Sequence, residues 1–123
     1  MNKILLVEDD QILAKLYQVK FQKAGFDILL AFDGEEGFEK MRSFNPNLII
    51  LDLIMPKMDG MTFLSKVKED PELSKRGTPI LVLSNLGQEA DIKKAMDMGV
   101  KDFFIKADMS LGQMVEKVKT YLK

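Results

Sequence analysis

The residues able to do chemistry in this sequence are a few carboxylates, a hydroxyl and a lysine, each placed just after an apolar run. Glu8, Asp9 and Asp10 follow Ile4-Leu5-Leu6-Val7, and Asp52 follows Leu48-Ile49-Ile50-Leu51. Ser84 and Asn85 close the run over residues 79–83, and Lys106 closes the one over 101–105. The chain has neither cysteine nor histidine. Disulfides, thiolate metal sites, most zinc sites and Ser-His triads are therefore excluded. Any catalysis must use carboxylates, hydroxyls, lysines or a hard metal. Crowded carboxylates raise one another's pKa or require a cation. Oxygen-only donors favour a hard ion, and Mg²⁺ suits one or two carboxylates plus waters and a phosphate. With Lys106 and Ser84 facing anionic oxygens, the set fits phosphoryl transfer to a carboxylate nucleophile, with Asp52 attacking.

Those groups meet only if the elements between them are right. Residues 4–7, 26–32, 48–51, 79–83 and 101–105 read as strands. Residues 11–23 read as a helix capped by Asp10 and ended by Gly25, with Ile12, Leu13, Leu16, Val19 and Phe21 as its apolar face. Residues 33–41 form a second helix, with Asp33 as cap and Glu36 three residues on. Asp59 caps a third helix that covers Phe63, Leu64 and Val67. Residues 69–78 read as a polar loop holding Pro71 and Gly77, residues 88–98 as a helix ending near Gly99, and Ser110 with Gln113 as a capping box opening the last helix. Five βα units with near-continuous apolar strands predict an α/β fold, a doubly wound (βα)5 parallel sheet with helices on both faces. In such a sheet the site lies beyond the carboxyl ends of the strands. The acid cluster stands where a dinucleotide or flavin site would need phosphate-cradling glycines, serines or threonines, which argues against both.

From end to end the chain resembles the receiver domain of two-component response regulators (CheY-like). The resemblance is carried by Ile4-Leu5-Leu6-Val7-Glu8-Asp9-Asp10, Leu51-Asp52-Leu53-Ile54-Met55-Pro56-Lys57-Met58-Asp59-Gly60, Leu83-Ser84, and Gly99-Val100-Lys101-Asp102-Phe103-Phe104-Ile105-Lys106. It implies a flavodoxin-like sheet of order 2-1-3-4-5. It also implies Asp52 as phosphoacceptor, and Glu8, Asp9, Asp52 and the backbone carbonyl of Ile54 as ligands of Mg²⁺ (or Mn²⁺). Ser84 and Lys106 are then the assisting hydroxyl and lysine, and Phe103 the aromatic switch residue that follows Ser84. The implied donor is a sensor histidine kinase or histidine phosphotransfer protein. The output is expected from the face formed by residues 88–98, 101–105 and 110–121, binding an unidentified downstream protein. Two positions depart from the family: Asn85 where a small residue is usual, and Ala107 where proline is usual. A cis bond before a non-proline residue costs about 3 kcal/mol, so a trans bond is expected at Ala107. Ile54 and Leu86 match variable positions flanking the site. Both are apolar and unable to orient an attacking water, so slow loss of the phosphoryl group is expected.

Bulk properties bound the alternatives. The 123 residues are 46% hydrophobic and 30% charged with a net charge of −1, the balance of one soluble globular domain. Nothing favours nucleic acid or an anionic membrane, no targeting segment is visible, and a cytoplasmic location is expected. Residues 1–123 are expected to be one receiver domain with no output domain following. Asp10 reads mainly as a helix cap, the nine methionines as gap-fillers, and Phe103 by itself first as plain core. Two rival functions compete with a phosphorylation-controlled binding module. One is a degenerate receiver, a constitutive interaction domain motivated by Asn85 and Ala107. The other is an aspartyl-phosphate hydrolase, which would need a carboxylate where Ile54 stands. On the leading reading the protein modifies itself and is not a turnover enzyme.

Overall fold

The structure is a computed structural model that describes residues 2–122. The end residues of the expected domain, Met1 and Lys123, lie outside the described residues. Five strands form one parallel sheet: β1 (Lys3–Val7), β2 (Asp27–Ala31), β3 (Leu48–Leu51), β4 (Ile80–Ser84) and β5 (Asp102–Ile105), in the order β2-β1-β3-β4-β5. Six helices connect and cover them among the described residues: α1 (Gln11–Lys23), α2 (Gly34–Phe44), α3 (Gly60–Glu69), α4 (Pro71–Arg76), α5 (Glu89–Asp97) and α6 (Leu111–Tyr121). This is the expected doubly wound α/β fold with the expected strand order.

Strand alternation divides the core in two. Leu5 and Val7 of β1 point with Ile49 and Leu51 of β3 toward α2, α3 and α5, where Met41, Phe63, Leu64, Val67 and Ala95 meet them. Ile4 and Leu6 point with Leu48 and Ile50 toward Ala14, Tyr17 and Phe21 of α1 and Met114, Val115 and Val118 of α6. Period-two side chains that are apolar on both faces need a helical layer on each side, as found.

The caps fall where expected. Asp10 accepts from the N–H groups of Ile12 and Leu13, Asp33 from Glu36, Asp59 from Thr62, and Ser110 with Gln113 makes the full capping box. Around α2, Glu36 reaches back to the Phe32 N–H, one residue earlier than a capping box would place it.

Two expectations need correction. The stretch 69–78 is not simply a polar loop. Asp70 caps the backbone N–H groups of Glu72 and Leu73, Pro71 starts α4 at its first turn, and Gly77 ends it at φ +62°. Pro71 needs no N–H partner there, and Gly77 adopts the left-handed conformation without a Cβ penalty. Leu73, 1% exposed, anchors this short helix to the core. In α1 the expected apolar face is only partly the buried one: Phe21 and Leu13 pack on the core, but Ile12, Leu16 and Val19 do not. Ala14, Tyr17 and Phe21 are buried, while Ile12, Leu16 and Val19 are 78%, 51% and 50% exposed. Two apolar stripes interleave on α1, and the sheet takes only one. Smaller differences lie at element ends. The second strand is shorter than 26–32, the fourth is shifted one residue on, and α2 runs past residue 41 until Asn45 stops it in the left-handed region, φ 49°.

Candidate functional site

Register sets the site. Val7 lies opposite Leu51, so Glu8 and Asp52 emerge side by side. The Asp52 N–H still donates to the Val7 carbonyl at 3.0 Å, and the Glu8 N–H to Ala31 at 2.9 Å, which extends the sheet one residue past each strand. Ser84 lies opposite Ile105, so Lys106 and Asn85 are the first residues beyond that pair. Helix α3 closes in from one side through Gly60, whose N–H donates to the Leu53 carbonyl at 3.0 Å. A Cβ at Gly60 would sit 2.6 Å from the Asp52 carbonyl oxygen and the Leu53 Cα, so only glycine permits this approach.

The Lys106 ammonium donates to Asp52 Oδ2 at 2.8 Å and pairs with Glu8 Oε1 at 2.7 Å. Glu8 is 2% exposed and Asp52 5%. Burial opposes the lysine's charge, yet its hydrogen bonds to Asp52 and Glu8 outweigh burial and hold its pKa above the ordinary lysine value. Burial pushes the Glu8 carboxyl up, and the neighbouring Asp52 charge adds to the rise against the pull of Lys106. The remaining oxygens are used locally: Glu8 Oε2 accepts from the Asp10 N–H at 3.1 Å and Asp52 Oδ1 from the Ile54 N–H at 3.2 Å.

Glu8, Asp9 and Asp52 each offer one carboxylate oxygen, and these atoms lie within 4.8 Å of one another. Three carboxylates and one ammonium leave a formal charge of −2, which a divalent cation balances. The donors are oxygens, the set Mg²⁺ or Mn²⁺ accepts, so the residues present fit the metal.

The other expected residues are placed as follows. Ser84 is fully buried, and its Oγ accepts from the Leu86 N–H at 3.2 Å, which leaves its own proton free to donate. Ile54 presents a side chain 55% exposed. Leu86 is half-buried against the α2–α5 side of the core, and so is Phe103, whose N–H bonds the Asp102 carboxylate. Asn85 does not turn into the site. Its Oδ1 accepts from the Ala107 N–H at 3.0 Å. All peptide bonds among the described residues are trans, as expected at Ala107.

Sequence reasoning did not foresee the shared pairing of Lys106 with Glu8, the Asn85–Ala107 bond, or the exposed stripe of α1 that starts three residues after Asp9. The stripe had a signal, since Ile12, Leu16 and Val19 share helical spacing, but so do the residues actually buried.

The model of the response regulator receiver domain family matches residues 4–119. The chain is 35% identical over 117 residues to the Regulator of RpoS of Escherichia coli, covering 95% of this chain and 34% of that protein. It is 32% identical to the DNA-binding dual master transcriptional regulator RpaA of Synechocystis, covering all of this chain and 50% of that protein. The chain thus spans a third to a half of the length of these curated relatives. Among solved structures, the Francisella response regulator 1452 receiver domain superposes with a TM-score of 0.87 at 27% identity, with 98% of this chain and 95% of that chain covered. The Mn²⁺-bound form of response regulator Rcp1 gives 0.83 at 26% identity, with 99% and 94% covered.

Proposed function

The chain belongs to the response-regulator receiver family, and from that premise we propose that it accepts a phosphoryl group on Asp52 from a phosphohistidine donor and signals by binding a partner. The observation that carries this is Lys106 bridging Asp52 and Glu8 beside Asp9. It is a nucleophile, a retained positive charge and a two-charge deficit in one pocket.

In the proposed reaction an Asp52 carboxylate oxygen forms a bond to phosphorus as the bond from phosphorus to the imidazole nitrogen breaks. The electron pair stays on that nitrogen, which takes up a proton. Lys106, held protonated by its raised pKa, supplies positive charge to the phosphoryl oxygens without losing its proton. Glu8, Asp9, Asp52 and the Ile54 carbonyl would hold Mg²⁺ or Mn²⁺, which would supply further positive charge at the site. The similar Rcp1 structure holds Mn²⁺, which supports this. Ser84 has a hydroxyl proton to donate to the product phosphoryl group, and Phe103, packed on the same side as Leu86, is the residue we expect to follow it.

Two surfaces serve partners on this reading. The exposed α1 stripe of Ile12, Leu16 and Val19 starts just past the acid pair, and we assign it to the donor kinase or phosphotransfer protein. The α5-β5-α6 face, which includes the half-exposed Met96, is assigned to the downstream target. No described helix is long and apolar enough to cross a membrane. We take the receiver to modify itself and to turn over no other substrate. The second reading, a degenerate receiver, was motivated by Asn85 and Ala107, and the hydrogen bond between these two residues gives each a local role.

The test is intact mass after incubation with acetyl phosphate, with and without Mg²⁺, beside Asp52→Asn. One added phosphoryl group that requires both Mg²⁺ and Asp52 is expected. A folded protein that stays unmodified would return weight to a constitutive interaction domain.

A further inference from the structure

We propose that Asn85 is a positioning residue for Lys106, acting through the backbone of Ala107. The peptide joining Lys106 to Ala107 is held at both ends. Its N–H donates to Asn85 Oδ1 at 3.0 Å, and its carbonyl accepts from the Met109 N–H at 3.3 Å. That plane fixes the backbone torsion at Lys106 and so the direction in which its side chain leaves. From there the ammonium reaches Asp52 at 2.8 Å and Glu8 at 2.7 Å together. A long lysine chain carries large rotamer freedom, so a fixed starting direction matters for meeting two oxygens at once.

The device exists only because residue 107 has an N–H. Proline there would remove the donor and disfavour the helical backbone at Lys106, which begins a single 3₁₀ turn, Lys106–Asp108. Alanine at 107 and asparagine at 85 are thus one feature, donor and acceptor. Two further contacts hold the loop that carries Asn85. Ser84 Oγ takes the Leu86 N–H, and Gly87 lies so close to the Ile105 side chain that a Cβ would come within 2.5 Å of its Cδ1. The loop after β4 and the turn after β5 therefore hold each other, and Asn85 is their polar link. Asn85 is exposed and Ala107 is exposed, so the bond is not required to satisfy a buried group. Its use is directional.

The kinetic part of the test rests on the acceptor reading of Asp52; the spectroscopic part does not. Asn85→Ala is expected to slow phosphorylation by acetyl phosphate about fivefold, the worth of one hydrogen bond. The ¹⁵N signal of the Lys106 ammonium, slowed in solvent exchange by its two carboxylate partners, is expected to move toward that of a free lysine, with cooperative melting retained. Asn85→Asp keeps an acceptor and is expected to keep both the Ala107 amide protection and the lysine signal. In an Ala107→Pro background, Asn85→Ala is expected to change the rate by less than about twofold, because the donor is already gone. An unmoved lysine signal in Asn85→Ala, or an equal loss of rate in the proline background, would overturn the proposal. If the unmodified protein takes up no phosphoryl group, the acceptor reading fails and the lysine signal alone decides the positioning role.

Discussion

The two ends of the sheet treat polar groups in opposite ways. At the amino end, several polar and charged groups pair with one another or with the backbone. The Tyr121 hydroxyl donates to Asp102 at 2.7 Å, the Lys3 N–H donates to Asn47 Oδ1, and the Lys3 ammonium donates to the Phe44 carbonyl. Arg76 reaches the Met41 carbonyl, and Arg42 pairs with Asp70. At the carboxyl end Glu8 and Asp52 share one lysine, and the Asp9 carboxylate stands beside them. The amino end is arranged for stability. The carboxyl end keeps more carboxylates than cations, an excess that a bound divalent cation would balance. Polar groups left under-compensated mark the working end, because selection for stability alone would pair or delete them.

The largest effect expected from disturbing this contrast is at Lys106. Replacing it with methionine leaves Glu8 and Asp52 facing each other with no cation, a loss of about 3 kcal/mol in divalent-free buffer. Urea titration measures it, and added Mg²⁺ is expected to recover part of the loss. Next, Mg²⁺ at about a hundred times its dissociation constant is expected to stabilise the unmodified protein by about 2.7 kcal/mol, and Asp9→Asn to abolish most of that gain. Unchanged melting with Mg²⁺ would break the account of the carboxyl end as a cation site. Leu16→Asp on the exposed stripe of α1 is expected to slow transfer from a phosphohistidine donor protein about tenfold and leave acetyl phosphate uptake unchanged. A comparable loss with acetyl phosphate would show that the stripe supports the fold and not a partner.

The smallest effect belongs to the amino end. Tyr121→Phe is expected to cost about 1 kcal/mol without touching phosphoryl uptake. Its hydrogen bond to Asp102, with some burial, raises the Tyr121 pKa. Protonation is favoured in the folded state, so this contribution is complete below the ordinary tyrosine value near 10 and is lost as pH rises through the higher folded value. Alkaline melts of the two proteins should converge above that range.

Much of the site was legible before any fold was built. Charge directly after four apolar residues, as at Asp52, marks a strand end that meets water, and an open parallel sheet gathers such ends. The helix starts were legible for the same local reason: Asp10, Asp33, Asp59 and Ser110 cap backbone N–H groups within three residues of themselves. Helix α4 was missed although Asp70, Pro71 and Gly77 spell its start and stop, because six residues give too little period to outweigh a polar composition. The contacts of Asn85 were not legible, since two residues 22 positions apart meet only through the register of β4 with β5.

The sequence by itself determined the five strands and the five longer helices, the caps at Asp10, Asp33, Asp59 and Ser110, the order of the chemistry along the chain and the exclusion of thiol and imidazole mechanisms. These depend on residue type and on neighbours a few positions away. The tertiary structure decided which of two stripes on α1 faces the sheet. It also decided that Lys106 serves two carboxylates and that Asn85 serves the backbone instead of the pocket. The physical reason is the same each time. A helix with apolar residues on two stripes, a lysine with three donors and a side-chain amide all have several acceptable partners. Only the packed neighbours, placed by strand register across the sheet, choose among them.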